Sequence, residues 1–481
     1  MPLKLYNTRT RGVEIFSPLR AGQVRMYVCG LTPSAQAHLG HARSFLFFDV
    51  LRRYLAHCGY AVTYVQNVTD IDDRSINRGI ETGEDWHEIV AGYYADFKTS
   101  MRKLDVREPD HEPFATQFIP QIVEAIEALI ARGYAYVSRD GVYYRVSKFA
   151  GYGKLSNRKI DELESGARIE IDEHKDDPLD FALWKFAKPG EPRWPSPWGD
   201  GRPGWHIECS VMSHDLLDPA GAGFDIHGGG ADLIFPHHEN EIAQSEPLMA
   251  HPPMANLWVH GGLLLFDNKK MSKSLGNFEP LSALLARHDP QAIRLLFLQT
   301  GYSKVMNLTE ESIAGATVSL DRLKAAYRKL ARADAPPYTP GDLTARVNAA
   351  LENDMNTAGA LAELHVFAAN AENGQANGAA FAEFAYLLAL LGLEPTAAWQ
   401  HETVAELPAD FIERLRTEVG ADISLNGSQR AADAIEHLID LRTQARARKD
   451  WAMSDRLRDA LLRSGVALKD SKEGTTWTVA G

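Results

Sequence analysis

Cysteine is scarce in this sequence of 481 residues. Its three cysteines, Cys29, Cys58 and Cys209, are too few and too scattered for a disulfide framework, which leaves metal binding, catalysis or inert burial. Long apolar runs are also lacking, because the longest candidate, 384–393, is about half of the roughly 18 residues that a membrane span needs. The first residues contain no hydrophobic signal core. We therefore expect a soluble, cytoplasmic protein without a membrane partner.

An excess of basic residues is absent as well. Lys and Arg number 51 against 64 Asp and Glu, which gives a formal net charge of −13. This argues only weakly against a nucleic-acid partner, because phosphate contacts depend on where the basic groups cluster. Hydrophobic residues make up 45% of the chain and charged residues 24%, so a globular protein of about three domains is expected.

The order of apolar segments predicts an α/β fold with a parallel sheet, interrupted by an insertion. Strand-like runs at 24–28 and 61–66 flank a helix predicted at 42–58, and strand-like runs return at 224–227 and 256–265. Beyond residue 308 the spacing of Leu and Ala is helical. The predicted division is an α/β domain from 1–100 and 201–265, an insertion at 101–200 with a hairpin at 135–144, a junction at 266–334, and helical domains at 342–410 and 411–481.

A histidine pair follows the first strand. His38 and His41 belong to His-Leu-Gly-His, where a helix is predicted to begin. Both imidazoles would share one face of its first turn, beside free backbone N–H groups and the positive end of the helix dipole. Such a place suits an anionic phosphate. Two histidines at a helix start are equally compatible with solvated or packed side chains.

Two lysines lie in a loop sequence after the last strand-like run. Lys270 and Lys273 belong to Lys-Met-Ser-Lys-Ser-Leu-Gly-Asn, a cationic clamp suited to a leaving pyrophosphate. Taken alone, the string also fits an exposed basic loop. The sequence contains no Walker A, H-E-x-x-H or G-x-S-x-G pattern, so phosphate handling would rest on the histidines and lysines.

Together these two motifs resemble the HIGH and KMSKS signatures of class I aminoacyl-tRNA synthetases. The resemblance implies a Rossmann-like catalytic domain that activates an amino acid with Mg²⁺-bound ATP. It also implies that the helical domains bind tRNA.

A second set of residues combines a thiol, an imidazole and a carboxylate. Pro236 suits the first turn of a helix, so His237 and Glu241 should share a face, and Cys209 lies on a separate segment. These are zinc ligands in type. The spacing is weak, since it lacks a C-x-x-C, and buried cysteines beside a solvated acidic helix remain the alternative. Cys58 is expected to be an inert thiol.

Four segments narrow the resemblance to the cysteinyl-tRNA synthetase family. They are Cys29-Gly30 and the stretches 204–210, 227–233 and 236–241. The resemblance implies that Cys29, Cys209, His237 and Glu241 hold one Zn²⁺ per chain and that the substrate cysteine binds this ion through sulfur. Because an apolar pocket separates cysteine from serine poorly, bonding of a soft thiolate to zinc would supply the selectivity.

The same resemblance implies the remaining site residues. Catalytic roles in phosphate alignment and charge stabilisation fall to His38, His41, Lys270 and Lys273. ATP binding is implied for Gly40, His38, His41, Gly228, Gly229, Gly230 and Lys273, and binding of substrate cysteine for Trp205, Thr69, His227 and Asp232. Without the resemblance, the glycines form a tight loop, and 67–73 is a helix cap with a solvated turn. One departure stands out: 31–35 reads Leu-Thr-Pro-Ser-Ala where the family usually has a Pro-Thr-Val-Tyr-Asp type run.

The C-terminal region is locally basic. Residues 441–463 contain seven Lys or Arg against three Asp. Arg446, Arg448 and Lys449 lead into Trp451, a combination typical of RNA binding, although an amphipathic helix pair with a solvated basic face is the alternative. Residues 474–477 resemble the family's anticodon-recognition segment.

The expected function is ATP-dependent attachment of L-cysteine to its tRNA through a cysteinyl adenylate, by a monomer. The closest alternative is the cysteine ligase of mycothiol synthesis, which resembles the family through the same zinc and ATP motifs. A chain that continues some 170 residues past the junction favours tRNA. A noncatalytic RNA-binding protein that kept the fold is the other alternative.

Overall fold

A computed structural model describes residues 2–158, 174–270, 279–331, 335–372, 378–396, 399, 411–419, 431–471 and 474–479. The chain forms two compact units, Met1–Pro395 and Thr396–Gly481. The finer division expected from the sequence stays a prediction. No helix in the described part of the chain has an apolar stretch sufficient to cross a bilayer.

Strands and helices both occur up to residue 308, helices follow from residue 310, and a strand pair lies near the C-terminus. The strands are β1 (Lys4–Asn7), β2 (Gly12–Ile15), β3 (Gln23–Leu31), β4 (Ala61–Val68), β5 (Ala135–Val137), β6 (Gly141–Tyr144), β7 (Phe181–Phe186), β8 (Gly201–Pro203), β9 (Phe224–Gly230), β10 (Ala255–Gly261), β11 (Leu264–Phe266), β12 (Lys269–Lys270), β13 (Met306–Leu308), β14 (Val466–Ser471) and β15 (Gly474–Val479). The α-helices are α1 (Leu39–His57), α2 (Asp73–Thr82), α3 (Trp86–Lys103), α4 (Ile119–Ala131), α5 (Trp205–Leu217), α6 (Glu239–Ser245), α7 (Leu281–Arg287), α8 (Pro290–Leu298), α9 (Glu310–Leu330), α10 (Asp342–Leu351), α11 (Thr357–Glu372), α12 (Gly378–Leu390), α13 (Phe411–Val419), α14 (Ala431–Ala447) and α15 (Trp451–Arg463).

The central sheet is parallel and has the order β10-β9-β3-β4. Its strands are largely buried, as expected when helices cover both faces of a parallel sheet. The chain passes from β3 through α1 to β4 on one side, whereas β9 lies on the other side of β3. The strand order therefore reverses between β3 and β9, and ligands of open α/β sheets bind at the carboxyl ends of the strands at such a point. The predicted α/β class is confirmed.

The strand expected at 256–265 is wrong in its extent. It is divided into β10 of the central sheet and β11 of a small sheet with the order β12-β11-β13. The break falls at Gly262, whose N–H donates to the carbonyl of Tyr302 and where a Cβ would lie 2.3 Å from the carbonyl oxygen of Lys304. Only glycine permits this close approach of two backbones, so the strand cannot continue in one sheet.

The insertion contains its own antiparallel sheet, β5-β6-β7-β8. The hairpin predicted at 135–144 is confirmed as β5 and β6. The core of this sheet includes Leu183 and Trp184 of β7 and Ile126 of α4, and Ile207 of α5 joins the same cluster. The insertion is thereby packed onto the helix that leads back into the central sheet.

A buried ion-pair network joins α1 to helices that follow the lysine loop. Arg294 of α8 is 0% exposed, and its Nη2 donates to Oδ2 of Asp49 at 2.6 Å. Its Nε donates to the carbonyl of Leu391 at 2.7 Å, after α12. Arg53 of α1 donates to the same Asp49 oxygen at 2.9 Å and to the carbonyl of Ala389. These contacts fix the position of helix α1, which begins at the histidine motif.

The second unit is helical with one addition. Helices α13 to α15 share a core with Val466, where the hairpin β14–β15 begins. The sequence analysis did not anticipate this hairpin. The chain leaves α15 at Gly465 with φ of 88°, a left-handed conformation that turns it away from the helix.

Candidate active site

A cavity of about 1080 Å³ opens at the carboxyl ends of β3 and β9, where the strand order reverses. Cys29 and Gly30 from β3, His38 and His41 from the start of α1, and Asp232 after β9 line it. The sheet therefore brings Cys29 of the predicted metal site and the histidine motif to one place.

His38 and His41 are locked to each other and to the start of α1. The N–H of Gly40 donates to Nδ1 of His38 at 3.0 Å, and the N–H of His38 donates to Nδ1 of His41 at 3.2 Å. The two rings stack with centroids 3.8 Å apart. The shared face is confirmed, but the expectation that the first-turn N–H groups are free is wrong for Gly40, because His38 caps the helix.

Both histidines of this pair are neutral near pH 7. Burial lowers the pKa of His38, and burial, His38 and Arg74 together lower the pKa of His41 to about 3. Since each Nδ1 accepts a hydrogen bond, each ring carries its proton on Nε2. The pair therefore offers N–H donors to a ligand rather than positive charges.

The four predicted metal ligands converge beside this cavity. The Sγ atoms of Cys29 and Cys209 are 3.7 Å apart, Cys29 Sγ lies 3.5 Å from Oε1 of Glu241, and Nε2 of His237 lies 3.1 Å from the same oxygen. All four ligand atoms lie within 4.8 Å of one another and all four residues are buried. The i, i+4 face predicted for His237 and Glu241 is confirmed.

Local structure explains how each ligand reaches this point. The pairing of β3 with β4 is irregular between Val28 and Leu31, and the N–H of Gly30 donates to the side chain of Asn67, which re-aims the strand at Cys29. Cys209 lies on α5, whose residues from Ile207 to Ser213 are buried. The remaining two ligands come from the turn before α6 and from its first turn.

The donor set fits a tetrahedral zinc ion. With Zn–S of about 2.3 Å and Zn–N or Zn–O of about 2.0 Å, neighbouring ligand atoms in such a site are about 3.3–3.8 Å apart. The measured separations of 3.1, 3.5 and 3.7 Å match this geometry closely. Of the four, only Cys29 lines the cavity, so the ligand cluster meets the cavity on the Cys29 side.

Further histidines contact these ligands or one another beside them. His206 Nδ1 lies 2.9 Å from Nδ1 of His237, and His227 Nε2 lies 2.8 Å from Oε2 of Glu241. His238 Nε2 lies 3.3 Å from Cys29 Sγ, and its Nδ1 lies 2.7 Å from Nε2 of His260. Cys29, His227, His238 and Glu241 form an alternative ligand set that shares two residues with the first. Partners of this kind orient metal ligands.

The charges of the cluster favour a cation. Burial raises the pKa of the Glu241 carboxyl, but His227 and His237 outweigh burial and hold this pKa well below its ordinary value. Burial also opposes a charged His237, but Glu241 and Cys209 raise the pKa of its imidazole to about 10. Burial and the neighbouring Cys209 and Glu241 raise the pKa of Cys29 well above that of a free thiol. A metal ion would therefore displace protons held by Cys29 and His237.

Comparison with known proteins agrees with this geometry. Residues 15–318 match the family model of the class I (C) tRNA synthetase catalytic domain. The cysteine–tRNA ligase of Pseudomonas aeruginosa (strain LESB58) is 46% identical over 487 residues, covering 99% of this chain and 100% of the relative. That of Laribacter hongkongensis (strain HLHK9) is 45% identical over 478 residues, covering 99% of each chain. The chain belongs to the cysteine–tRNA ligase family.

The fold of this cysteine–tRNA ligase family member extends to other class I enzymes. Mycobacterium tuberculosis methionyl-tRNA synthetase bound by methionyl-adenylate superposes with a TM-score of 0.54 at 14% sequence identity. The superposition covers 77% of this chain and 90% of that chain. The family assignment made from the sequence motifs is confirmed.

The residues expected to contact cysteine in a cysteine–tRNA ligase fall into two groups. Trp205, which is 42% exposed, and Asp232 line the cavity, and the Trp205 ring lies 4.4 Å from that of His237. Thr69 and His227 are buried and do not line it. His227 instead stacks on Trp258 with centroids 4.4 Å apart, behind Glu241. The geometry therefore favours contact through the first two residues.

The three glycines expected to bind ATP also differ among themselves. Gly230 lines the cavity, whereas Gly228 and Gly229 are buried. A Cβ at Gly228 would lie 2.3 Å from the ring of Phe48 on α1. Packing of β9 against α1 thus explains the absence of a side chain at this position.

Lys270 is the one residue of the lysine motif 270–277 that lies within the described part of the chain. The backbone of Lys270 lies in β12, where it pairs with Leu265, and Leu265 lines the cavity. The remainder of the motif, including Lys273, lies outside the described residues. The motif therefore begins at the cavity of this cysteine–tRNA ligase family member.

The four residues predicted to bind RNA lie at one turn of the second unit. Arg446, Arg448 and Lys449 lie where α14 ends, and Trp451 begins α15 with 59% of its surface exposed. Other basic residues of 441–463 are engaged elsewhere: Arg442 is buried, Arg458 pairs with two aspartates and Arg463 with Glu418. The accessible basic surface is therefore smaller than the count in the sequence indicates.

Proposed function

We propose that the protein attaches L-cysteine to its tRNA in two steps and selects cysteine through its thiolate. The observation that carries the proposal is the convergence of Cys29, Cys209, His237 and Glu241 at the cavity that also contains the histidine pair. A zinc ion held by these four residues would supply a soft partner for the substrate sulfur. Family membership supports cysteine and tRNA as the substrates.

In the first step, a carboxylate oxygen of cysteine attacks the α-phosphorus of Mg²⁺-bound ATP. The bond between the α-phosphorus and the bridging oxygen breaks, and cysteinyl adenylate and pyrophosphate form. Neutral His38 and His41 donate from Nε2 to phosphate oxygens at the positive end of α1. Lys270 and Lys273 neutralise the charge that develops on the leaving pyrophosphate.

In the second step, a hydroxyl of the terminal adenosine of tRNA attacks the carbonyl carbon of the adenylate, and AMP leaves. Resemblance to class I favours the 2′-hydroxyl as the site of the first ester. The cavity exceeds the upper range of about 1,000 Å³ for small-molecule pockets, so it has room for this nucleotide. Arg446, Arg448, Lys449 and Trp451 would bind the tRNA elsewhere through phosphates and base stacking.

Selection through sulfur explains why shape alone need not discriminate. Serine differs from cysteine by one atom, and pockets that recognise only shape separate such pairs by about 10²-fold at most. Trp205 forms a wall of the cavity beside His237 and so confines the substrate side chain next to the ligand cluster.

Cysteine-dependent exchange of pyrophosphate into ATP, followed by charging of purified tRNA with labelled cysteine, tests the proposal. We expect both activities, with serine at least about a thousandfold poorer than cysteine in exchange. Exchange without charging would contradict the tRNA ligase and favour an amino-sugar ligase of the mycothiol type. Absence of exchange in metal-loaded protein would contradict both. The monomeric state and the cytoplasmic location stay predictions.

A further inference from the structure

Helix α2 presents a polar face to the active-site cavity. Arg74, Asn77 and Arg78 are exposed and line the cavity, whereas Ser75, Ile76 and Gly79 are buried on the opposite face. The positions i, i+3 and i+4 share one side of a helix, so these three side chains form a continuous strip. Neither the histidine motif nor the metal ligands involve this strip.

The two arginines of the strip are in different electrostatic states. Nε of Arg74 lies 2.9 Å from Oδ1 of Asp72, the residue that caps α2. The guanidinium of Arg78 has no carboxylate within ion-pair distance among the described residues. It lies over the ring of Tyr93 on α3, with 5.3 Å between its central carbon and the ring centroid. Arg78 thus offers an uncompensated charge whose direction is set by an aromatic ring.

Arg78 stands at the rim of the cavity. Together with Gln36, it also lines a smaller recess of about 330 Å³ that contains Glu84, Glu88 and Asp96. Arg74 contributes to the low pKa of His41, so its charge reaches the proposed nucleotide site, and Arg78 lies one turn, about 6 Å, farther along α2. The acidic recess disfavours an anion on its own side. On the cavity side the single carboxylate of Glu81 on α2 is outnumbered by Arg74 and Arg78, so a phosphate group finds its more favourable position there.

The position of α2 is itself fixed. Asp73 in its first turn accepts from Nζ of Lys185 on β7 at 2.7 Å and from Nη1 of Arg202 on β8 at 2.5 Å. The insertion sheet therefore anchors α2 at one end. Helix α3 packs against its other end, close to Arg78, through Gly79 and Trp86.

We propose that Arg78, with Asn77 beside it, binds a phosphodiester of the single-stranded RNA end as that end enters the cavity. The proposal rests on the proposed function, because it assumes that an RNA strand is a substrate. The recognised chemistry is a phosphate monoanion, and ATP is the other source of phosphate at this site. Arginine donates to phosphate oxygens in a fixed geometry, and the amide of asparagine adds a neutral donor.

The experiment compares Arg78→Ala, Arg78→Lys and the unmodified protein in two assays. Cysteine-dependent pyrophosphate exchange reports ATP binding and adenylate formation without RNA. Charging of purified tRNA at several salt concentrations reports the RNA strand. Arg322→Ala, an exposed arginine on α9 that lines neither cavity nor recess, is the matched control.

For Arg78→Ala we expect exchange within about twofold of normal and a KM for tRNA raised about tenfold. The dependence of log KM on log salt should become shallower by about 0.7, the value for one lost phosphate contact on a single strand. Arg78→Lys keeps the charge and should recover most of the affinity, and Arg322→Ala should change neither assay.

Two outcomes would overturn the inference while the proposed function stands. Equal losses of exchange and charging in Arg78→Ala would mean that the phosphate belongs to ATP. Unchanged charging with an unchanged salt dependence would mean that Arg78 contacts no phosphate. If the unmodified protein exchanges pyrophosphate but charges no tRNA, the proposed function fails, and the inference fails with it.

Discussion

Cys29 and Cys209 hold their Sγ atoms 3.7 Å apart across 180 residues of sequence. This separation is far beyond the roughly 2.05 Å of a disulfide bond, but it matches two sulfur ligands of one tetrahedral ion. Since Cys29 comes from β3 and Cys209 from α5, the pair also ties the insertion, which precedes α5, to the central sheet. A metal ion bound by both thiolates would therefore couple the site to the position of the insertion.

The first prediction concerns Cys209, a proposed metal ligand. Cys209→Ser replaces a soft ligand by a hard one, so zinc content measured by mass spectrometry should fall well below one per chain. The preference for cysteine over serine in pyrophosphate exchange should fall at least tenfold. Cys58→Ser is the matched control, because Cys58 is exposed and lies outside the cluster. Full zinc content with unaltered preference in Cys209→Ser would show that the metal assignment is wrong.

The second prediction concerns Lys273. Lys273→Ala should lower the rate of cysteine-dependent pyrophosphate exchange by about 10²- to 10³-fold, because a charge that stabilises the leaving pyrophosphate is lost. Zinc content should stay normal. Lys329→Ala, on the exposed side of α9, should leave exchange unchanged. Loss of zinc in the Lys273 variant would instead place this lysine near the metal and contradict its proposed role.

The chemistry of the site was easier to predict from sequence than its surroundings. His237 and Glu241 could be paired because helical spacing places i and i+4 on one face, and the parallel sheet brought Cys29 to the same edge. The contacts of His238 with Cys29 and of His260 with His238 join three separate elements. No local pattern indicates such contacts, so only the position of His238 next to His237 could have drawn attention to it.

Two sequence predictions were wrong: the free N–H groups at the start of α1 and the extent of the strand at 256–265. Local capping explains the first, and close backbone approach explains the second. His38 is not among the residues that commonly cap helices, so its use of the Gly40 N–H was not anticipated. The break between β10 and β11 was signalled by two adjacent glycines, Gly261 and Gly262, although their meaning depends on the backbone at Lys304. In both cases a tertiary contact overrode the local expectation.

The third prediction concerns the buried network behind the active site. Arg294→Met leaves Asp49 with Arg53 as its cationic partner among the described residues and removes the guanidinium that donates to the carbonyl of Leu391. Removal of one partner from a buried ion pair costs about 3–5 kcal/mol, so the free energy of unfolding in urea should fall by that amount. Arg346→Met breaks an exposed pair with Glu363 and should cost less than about 1 kcal/mol. A loss below 1 kcal/mol in Arg294→Met would contradict the structural role of the network.

The fourth prediction uses the low pKa of His41. Because the folded protein holds the pKa of this imidazole at about 3 and the unfolded chain has the ordinary value of 6.5, the unfolded chain binds an additional proton between these values. The stabilisation is complete above about pH 6.5 and is lost as the pH falls toward 3, by about 1.4 kcal/mol for each pH unit. His41→Asn removes the titrating group, so the loss of unfolding free energy between pH 7 and pH 5 should be about 2 kcal/mol smaller than in the unmodified protein.

Urea unfolding of both proteins at pH 7 and pH 5 measures this difference directly. His251→Asn, which changes an exposed histidine, is the matched control. An unaltered pH dependence in His41→Asn would mean that His41 binds its proton equally in the folded and unfolded states.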